Sequence, residues 1–330
     1  MPMRVLVTGS SGFIGHAVVR QLLKGGHQVR CLVRKTSSRA RIPVDDVEVA
    51  VGDILEPDTL RAATAGCDGL IHLASISDWK EINSPRIREI AVQGSRNVLD
   101  ACIARGPGTI RSVFISSISA INGTDQPEIL DENSEYTIKE NIPFLTTKRE
   151  MEDMCRAAAA EGHSVIIACP PETYGPNDTE LITSRNLINM LKTNPVLVSR
   201  GGVSIAHLDD VADGIIGVLE KGKPGERYAL GGDNMSVRQL AEMVLDILGQ
   251  KRRLIEFPTW FLRGLTKAAV TLHLPLPYTP ELIPFATRYF FFDTKKARTE
   301  LGVTFRPARE VLEPTLAWLK AEGHLKGIVA

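Results

Sequence analysis

Short apolar runs alternate with amphipathic stretches through the first two-thirds of the chain. The runs are rich in β-branched residues and too short for helices, which favours buried strands. They lie at 4–8, 28–33, 47–51, 69–74, 112–116 and 164–168. Apolar residues recur at helical spacing at 13–24, 85–106 and 144–161. Strands separated by helices predict an α/β fold with a doubly wound parallel sheet and right-handed crossovers.

The pattern changes after Pro170, where the turn-rich stretch "PPETYGPND" begins. Helical spacing follows at 183–193, 236–249, 258–272 and 308–322, while 209–222 and 226–232 return to a helix and a strand. We therefore expect a sheet domain at 1–175 with returns at about 208–232 and 290–300. A smaller, mostly helical substrate-binding cap would comprise 176–207, 233–289 and 301–330. Ligands should bind between the two, at the carboxyl ends of the strands.

Composition excludes several classes of partner. Lys+Arg and Asp+Glu both number 39, so the chain has no net charge to attract nucleic acid. The seven histidines form no metal-binding motif, so we predict no metal. The five cysteines form no CxxC pair and lie mostly in apolar runs, which favours buried thiols in a reducing compartment. No apolar run approaches the roughly 20 residues of a membrane span, and the chain enters a strand without a signal peptide. We therefore expect a cytoplasmic protein.

A glycine-rich turn follows the first predicted strand. The stretch "VTGSSGFIG" places Gly9, Gly12 and Gly15 between that strand and a helix, the context that makes a glycine triplet a phosphate site. Gly9 allows a tight turn, Gly12 allows a pyrophosphate to approach the backbone, and Gly15 allows the helix to pack against the strand. The free N–H groups at the helix start attract phosphate. The turn predicts a Rossmann dinucleotide site.

The end of the second strand indicates which dinucleotide binds. A site selective for NAD usually carries Asp or Glu there, whereas this chain has Arg34 and Lys35. A cation suits a ribose 2′-phosphate, so we predict NADP(H), with NAD(H) also possible. For the whole basic run, Arg34, Lys35, Arg39 and Arg41, a solvated loop is the alternative interpretation. Asp53, after the third strand, either hydrogen-bonds adenine or caps the turn before Pro57.

The chain resembles the extended, atypical short-chain dehydrogenase/reductases of the NAD-dependent epimerase/dehydratase type over nearly its whole length. The resemblance is carried by "TGSSGFIG", "GDILEP", "HLAS", "GSRNVLDAC", "VFISSISAI", "YGPND", "HLDDVADG" and "FFFDTKKARTELG". Through "LVRKTSS" and "HLDDVADGIIGVLEKGKPGERYALGG", the chain looks most like the dihydroflavonol-reductase-like and hopanoid-associated branch. This resemblance implies a hydride-transferring enzyme with a small-molecule substrate. It also implies a possible homodimer built from the helices at 85–106 and 144–161.

The resemblance assigns roles to matching positions. Ser117 would polarise a substrate carbonyl, with Ser116 and Ser119 as alternatives, and Lys148 would hold the nicotinamide ribose. The implied cofactor-binding set is Gly9, Ser11, Gly12, Phe13, Ile14, Gly15, Asp53, Ile54, Leu73, Ala74, Ser75, Ser116, Lys148, Pro170, Pro171 and Thr173.

Two positions depart from the family pattern. Ala91 replaces a usual asparagine, and Phe144 stands four residues before Lys148, where the family has its catalytic tyrosine. Without that phenol, carbonyl reduction would lose a positioned acid worth a factor of about 10²–10⁴. Tyr136 and Glu172 are the first candidates for another proton donor. Phe144 is expected beside the substrate, although core packing remains an alternative for it.

An apolar or aromatic substrate is expected if cap aromatics line the cleft. Trp79, after the fourth strand, is predicted to face the cleft together with Phe144, Ser117 and Ser119. The leading hypothesis is an NADP(H)-dependent oxidoreductase acting on a small, rather apolar substrate. A nucleotide-sugar epimerase or dehydratase is an alternative, as is a catalytically silent NADP(H)-binding sensor or scaffold.

Overall fold

The structure, a computed structural model, describes residues 2–76, 84–273 and 282–328. In chain order its strands are β1 (Arg4–Thr8), β2 (Gln28–Val33), β3 (Glu48–Val51), β4 (Gly69–His72), β5 (Arg111–Ile115), β6 (Ile129–Leu130), β7 (Val165–Cys169), β8 (Glu172–Tyr174), β9 (Val196–Ser199), β10 (Gly202–His207), β11 (Arg227–Ala229), β12 (Asp233–Ser236), β13 (Leu254–Phe257) and β14 (Tyr289–Phe292). Its α-helices are α1 (Phe13–Lys24), α2 (Pro57–Thr64), α3 (Pro85–Arg88), α4 (Ser95–Ile103), α5 (Ile118–Ile121), α6 (Pro143–Ala160), α7 (Ser184–Leu191), α8 (Leu208–Lys221), α9 (Val237–Ile247), α10 (Thr259–Thr271), α11 (Leu282–Ala286) and α12 (Ala308–Ala321). Among these residues, no helix is both long and apolar enough to cross a bilayer.

The main sheet has seven strands in the order β11-β7-β5-β4-β1-β2-β3. Every neighbouring pair is parallel. The predicted doubly wound parallel sheet is therefore confirmed, and the apolar runs correspond to its strands. The strand order reverses between β1 and β4, which is where such sheets bind ligands.

Both faces of the main sheet are covered, as an all-parallel sheet requires. Successive residues of β1 point to opposite faces, so Leu6 joins one apolar cluster while Val5 and Val7 join the other. Helices α1 and α8 cover the Val5 face, and α2, α4 and α6 cover the Leu6 face. This packing fixes the ends of the central strands, where the glycine turn and the serines lie.

The C-terminal half contains the predicted helices and also a second sheet that the pattern did not predict. Helices α7, α9, α10 and α12 lie where helical spacing occurs. The second sheet has the order β12-β10-β14-β6, with β8 also paired to β10, and β9 pairs with β13. Several of these strands have two to four residues, too few to show a period-2 pattern.

The predicted helix at 85–106 is interrupted. A π-helical segment, Glu89–Gly94, separates α3 from α4, and Ser95 Oγ donates to Ala91 O at 2.7 Å. Such π segments are frequent at functional sites. Position 91, where the chain departs from the pattern of the family it resembles, lies inside this segment.

Candidate dinucleotide and active site

The glycine turn between β1 and α1 has the backbone that a phosphate cradle needs. Gly9 has a φ of +70°, and a Cβ there would lie 2.7 Å from Ala74 N. A Cβ on Gly15 would overlap Gly9 O. A Cβ on Gly12 would meet one protein atom within 4 Å, Gly9 O at 3.2 Å. The fold therefore requires glycine at positions 9 and 15, while the space beside Gly12 is open toward a ligand at the start of α1.

Buried polar atoms without a protein partner surround this turn. Among the described residues, His16 Nε2, Ser75 Oγ and Arg41 Nη1 are buried and have no hydrogen-bond partner. His16 Nδ1 lies 3.2 Å from Gly12 O, and burial lowers the pKa of His16. A neutral ring that donates from Nδ1 leaves Nε2 as an acceptor. Buried polar atoms without a protein partner, next to the open glycine turn, are suited to hydrogen-bonding a dinucleotide. In the same turn, Ser11 and Ile14 are half-buried and Phe13 is buried.

Two further strand ends carry residues that the sequence predicts to bind the cofactor. Arg34 and Lys35 are exposed directly after β2. Asp53 Oδ1 accepts a hydrogen bond from Leu55 N at 3.0 Å, which is the turn-capping contact; its adenine contact stays a prediction. Ile54 lies against Gly94, where a Cβ would approach Ile54 Cδ1 to 2.5 Å.

Lys148 lies in the candidate active site with its ammonium buried. Its Nζ donates to Ile115 O, the last residue of β5, at 2.7 Å. Burial lowers the pKa of Lys148 to about 8, opposed by the charge of Glu152 one helical turn later. Glu152 accepts from Ser116 Oγ at 2.5 Å, and also from Arg156 at 2.7 Å and Arg227 at 3.1 Å. The buried face of α6 is thus anchored to the end of β5 at two points.

The serine loop after β5 lies beside Lys148. Ser117 is half-buried, with its Oγ 2.8 Å from Ser119 Oγ. Ile118 N donates to Pro170 O at 3.1 Å, which ties this loop to the Pro170–Pro171 turn. In that turn Thr173 Oγ1 donates to Pro171 O at 3.1 Å. Leu73, Ala74 and Ser75, half-buried after β4, complete the set that the structure places at adjacent carboxyl ends of the central strands.

Sequence reasoning missed a buried hydrogen-bond chain beneath this site. Thr8 Oγ1 lies 2.7 Å from His72 Nδ1, and His72 Nε2 lies 3.0 Å from Ser95 Oγ. Burial, and secondarily the charge of Lys148, lowers the pKa of His72 to about 3, so the ring is neutral. The polar residue ending the apolar strand "GLIH" was the available signal. This series of hydrogen bonds links β1, β4 and α4.

Among the described residues, the side-chain contacts found for the candidate proton donors Tyr136 and Glu172 do not involve the serines or Lys148. The Tyr136 ring is stacked by the Arg149 guanidinium at 3.7 Å, and its buried hydroxyl has no hydrogen-bond partner among the described residues. Glu172 accepts from Tyr174 OH at 2.8 Å and from Asn186 at 2.5 Å, and burial raises the pKa of Glu172. Their roles as donors stay predictions. Trp79 lies outside the described residues.

Phe144 occupies the first turn of α6, one turn before Lys148 and on the same face. The side chain is half-buried and packs against the apolar cluster on the Leu6 face of the main sheet. The packing of Phe144 against the core is therefore observed, and its place beside the substrate stays a prediction.

Comparison with known proteins agrees with this fold. Residues 5–231 match the NAD dependent epimerase/dehydratase family. A putative dihydroflavonol 4-reductase of Synechocystis sp. is 28% identical over 97% of this chain and 95% of that protein. Sterol demethylase protein B of Methylococcus capsulatus is 25% identical over 98% of this chain and 100% of that protein. The crystal structure of gox2253 is 31% identical, with a TM-score of 0.85 over 98% of this chain and 99% of that one. The chain belongs to the NAD dependent epimerase/dehydratase family, whose members depend on a nicotinamide dinucleotide.

Proposed function

We propose that the protein is an NADP(H)-dependent oxidoreductase that transfers hydride to or from a small, rather apolar or aromatic substrate without the family's tyrosine. One observation supports the proposal: Lys148 Nζ donates to Ile115 O at the end of β5, two residues before Ser117, and Phe144 lies one helical turn before Lys148 on the same face of α6. The bound dinucleotide supplies or accepts the hydride.

The chain's own residues hold and orient the reactants. Lys148, with its ammonium already desolvated, would donate to the nicotinamide ribose hydroxyls. Ser117, paired with Ser119, would direct a hydroxyl at a substrate oxygen. Because Phe144 carries no hydroxyl, the proton must come from the solvent, the substrate or another side chain. Tyr136, with its unpartnered hydroxyl, and Glu172, whose raised pKa favours the acid form, are the candidates.

An apolar substrate class is supported by the apolar packing of Phe144. Phe144, Phe285 and Tyr136 each pack against the large apolar cluster on the Leu6 face of the main sheet, and the rings of Phe285 and Phe290 are 4.6 Å apart. Two of the relatives are named for a dihydroflavonol and a sterol, both of which present fused rings with few charges. A conjugated ketone or an activated ring system would also need less help from an enzymic acid.

Arg34 is expected to select NADPH over NADH. A charge-assisted contact to the 2′-phosphate is worth roughly 1.5–3 kcal/mol, or about ten- to a hundredfold in affinity. Arg41 would add a second cation: its Nη2 is bonded to Thr179 Oγ1 and lies 3.8 Å from Glu180 Oε1, while its buried Nη1 has no hydrogen-bond partner among the described residues. Arg34→Asp should therefore reverse the preference, as measured by fluorescence titration of both reduced dinucleotides.

Arg39→Asp is the matched control for this titration. Arg39 is exposed in the same basic loop, so its substitution removes the same charge five residues beyond the position at the end of β2 that Arg34 occupies. The preference for NADPH should survive it. Equal affinities of the unmodified protein for NADPH and NADH would contradict the assignment.

Turnover distinguishes the proposed function from its alternatives. The protein should oxidise NADPH in stoichiometric proportion to the loss of a conjugated apolar ketone, and Lys148→Met should lower kcat/KM by at least tenfold. Interconversion of UDP-sugars without net NADPH consumption would instead indicate an epimerase. Tight NADPH binding with no turnover across a panel of ketones, enones and nucleotide sugars would indicate a silent binding protein.

A further inference from the structure

An apolar stripe on α10, continued by the residue that follows the helix, faces outward. Thr266 and Ala269 are buried, and the exposed side carries Phe261, Leu265 and Leu272, which are 39%, 50% and 67% exposed. The spacing of these three residues, with Ala268 between the last two, places them along one side of the helix. Trp260 is 75% exposed beside the stripe. A contiguous exposed patch of this kind marks an interaction surface.

The aromatic end of this stripe is held in a fixed arrangement. Phe257 stacks on Phe261 with ring centroids 5.5 Å apart and an interplanar angle of 16°. The Trp260 ring meets Phe261 edge-on at 5.9 Å. The cluster therefore presents an ordered aromatic ridge, with the tryptophan as its most exposed member. Tryptophan in such a position is typical of the boundary between lipid headgroups and hydrocarbon.

Helix α10 carries basic residues and no acidic ones, and the nearby Asp125 and Glu256 are paired with Arg263 and Arg200. The chain contains no Asp or Glu between Phe257 and His273, although acidic and basic residues balance over the whole sequence. Lys267 on α10 and Lys251 and Arg253 just before β13 are exposed. Exposed cations beside an acid-free apolar stripe complement an anionic lipid surface. A second copy docked through the same face would bring like charges together.

The stripe also lies near the proposed substrate cleft. Arg263 of α10 donates to Thr287 Oγ1 at 3.2 Å and pairs with Asp125 at 3.2 Å. Arg288, next to Thr287, pairs with Glu140 at 2.7 Å in the loop that leads into α6. These contacts join α10 to the segment that ends at Phe144. A surface bound through α10 would therefore lie close to the cleft.

We propose that α10 docks the protein on the surface of an anionic bilayer, with Trp260, Phe261, Leu265 and Leu272 in the headgroup–acyl boundary and Lys267 on lipid phosphates. In the docked orientation the cleft lies next to the bilayer, in which an apolar substrate accumulates. This role of docking in substrate supply rests on the proposed function. Docking itself does not, because it involves no residue of the dinucleotide or active site.

Vesicle co-sedimentation tests the docking. The full chain should pellet with vesicles of equal parts phosphatidylglycerol and phosphatidylethanolamine and remain largely free with phosphatidylcholine alone. The triple variant Trp260→Ser, Phe261→Ser, Leu265→Ser should bind the anionic vesicles at least tenfold more weakly. Lys267→Glu should weaken binding about fivefold or more, since each juxtaposed cation contributes about 1 kcal/mol at an anionic surface.

Ile129→Ser is the matched control, because Ile129 is 68% exposed on β6 and lies outside the stripe. It should bind vesicles as the unmodified protein does. Each variant is checked for an unchanged melting temperature and for NADPH affinity, so that loss of the proposed function and loss of docking are recorded separately. The proposal is overturned if the unmodified protein does not co-sediment with the anionic vesicles or if the triple variant binds them equally well. It is also overturned if the triple substitution converts a dimer to a monomer in ultracentrifugation without vesicles, since the stripe would then be covered by a second copy.

Discussion

Gly12→Val is expected to abolish NADPH binding while leaving the fold intact. A Cβ at position 12 would lie 3.2 Å from Gly9 O, a tight contact that requires a shift of a few tenths of an ångström, far less than the overlap at Gly15. The two added methyl groups would occupy the space at the start of α1, where free N–H groups would otherwise bind the pyrophosphate. Displacing the phosphates should weaken binding at least a hundredfold, as measured by titration calorimetry with NADPH.

Gly15→Ala provides the contrasting variant for this experiment. Its Cβ would overlap Gly9 O, so the turn itself must shift, and overpacking of this kind typically costs about 1–3 kcal/mol. Thermal unfolding should therefore separate the two variants, with a lowered melting temperature for Gly15→Ala and a nearly unchanged one for Gly12→Val. If Gly12→Val binds NADPH with undiminished affinity, the phosphates lie elsewhere and the cradle is misassigned.

The main sheet could be predicted from the sequence because burial on both faces leaves continuous apolar runs. Val5, Leu6 and Val7 are all fully buried, although they face two different clusters. The second sheet could not be predicted in the same way. Strand β6 contains two residues, and Ile129 is exposed, so its pairing with β14 leaves no local pattern. Such strands are defined by their partners rather than by their own sequence.

Some parts of the candidate site could likewise be predicted from the sequence, and others could not. The glycine turn could be located from the sequence because a tight turn and a close helix contact impose residue types at fixed spacing. The Thr8–His72–Ser95 chain and the role of Arg41 depend on contacts between residues far apart in the chain. In the sequence, Arg41 is one of several cations in a polar loop. In the structure, its contact with Thr179 holds it half-buried beside His16, whose pKa its charge helps to lower.

Phe144→Tyr is expected to create or raise activity toward simple ketones. The substitution adds one hydroxyl to a half-buried ring one helical turn from Lys148, so the fold should be undisturbed. The Lys148 ammonium would lower the pKa of the new phenol and make it an effective proton donor. General acid catalysis is worth about 10²–10⁴ in rate, and kcat/KM for NADPH-dependent reduction of a saturated ketone should rise within that range.

Two further variants show whether the gain arises from the phenol. Phe144→Leu alters the same position without adding a proton donor and should give no gain, whereas combining Phe144→Tyr with Lys148→Met should lose most of it. The gain should also introduce a new ionisation in the pH profile of kcat/KM, because activity would fall as the phenol loses its proton. If the unmodified protein already reduces saturated ketones as fast as the Phe144→Tyr variant does, a proton donor is already in place. Successive removal of the Tyr136 hydroxyl and the Glu172 carboxyl would then identify it, because only the true donor's loss should depress the rate by the factor that general acid catalysis supplies.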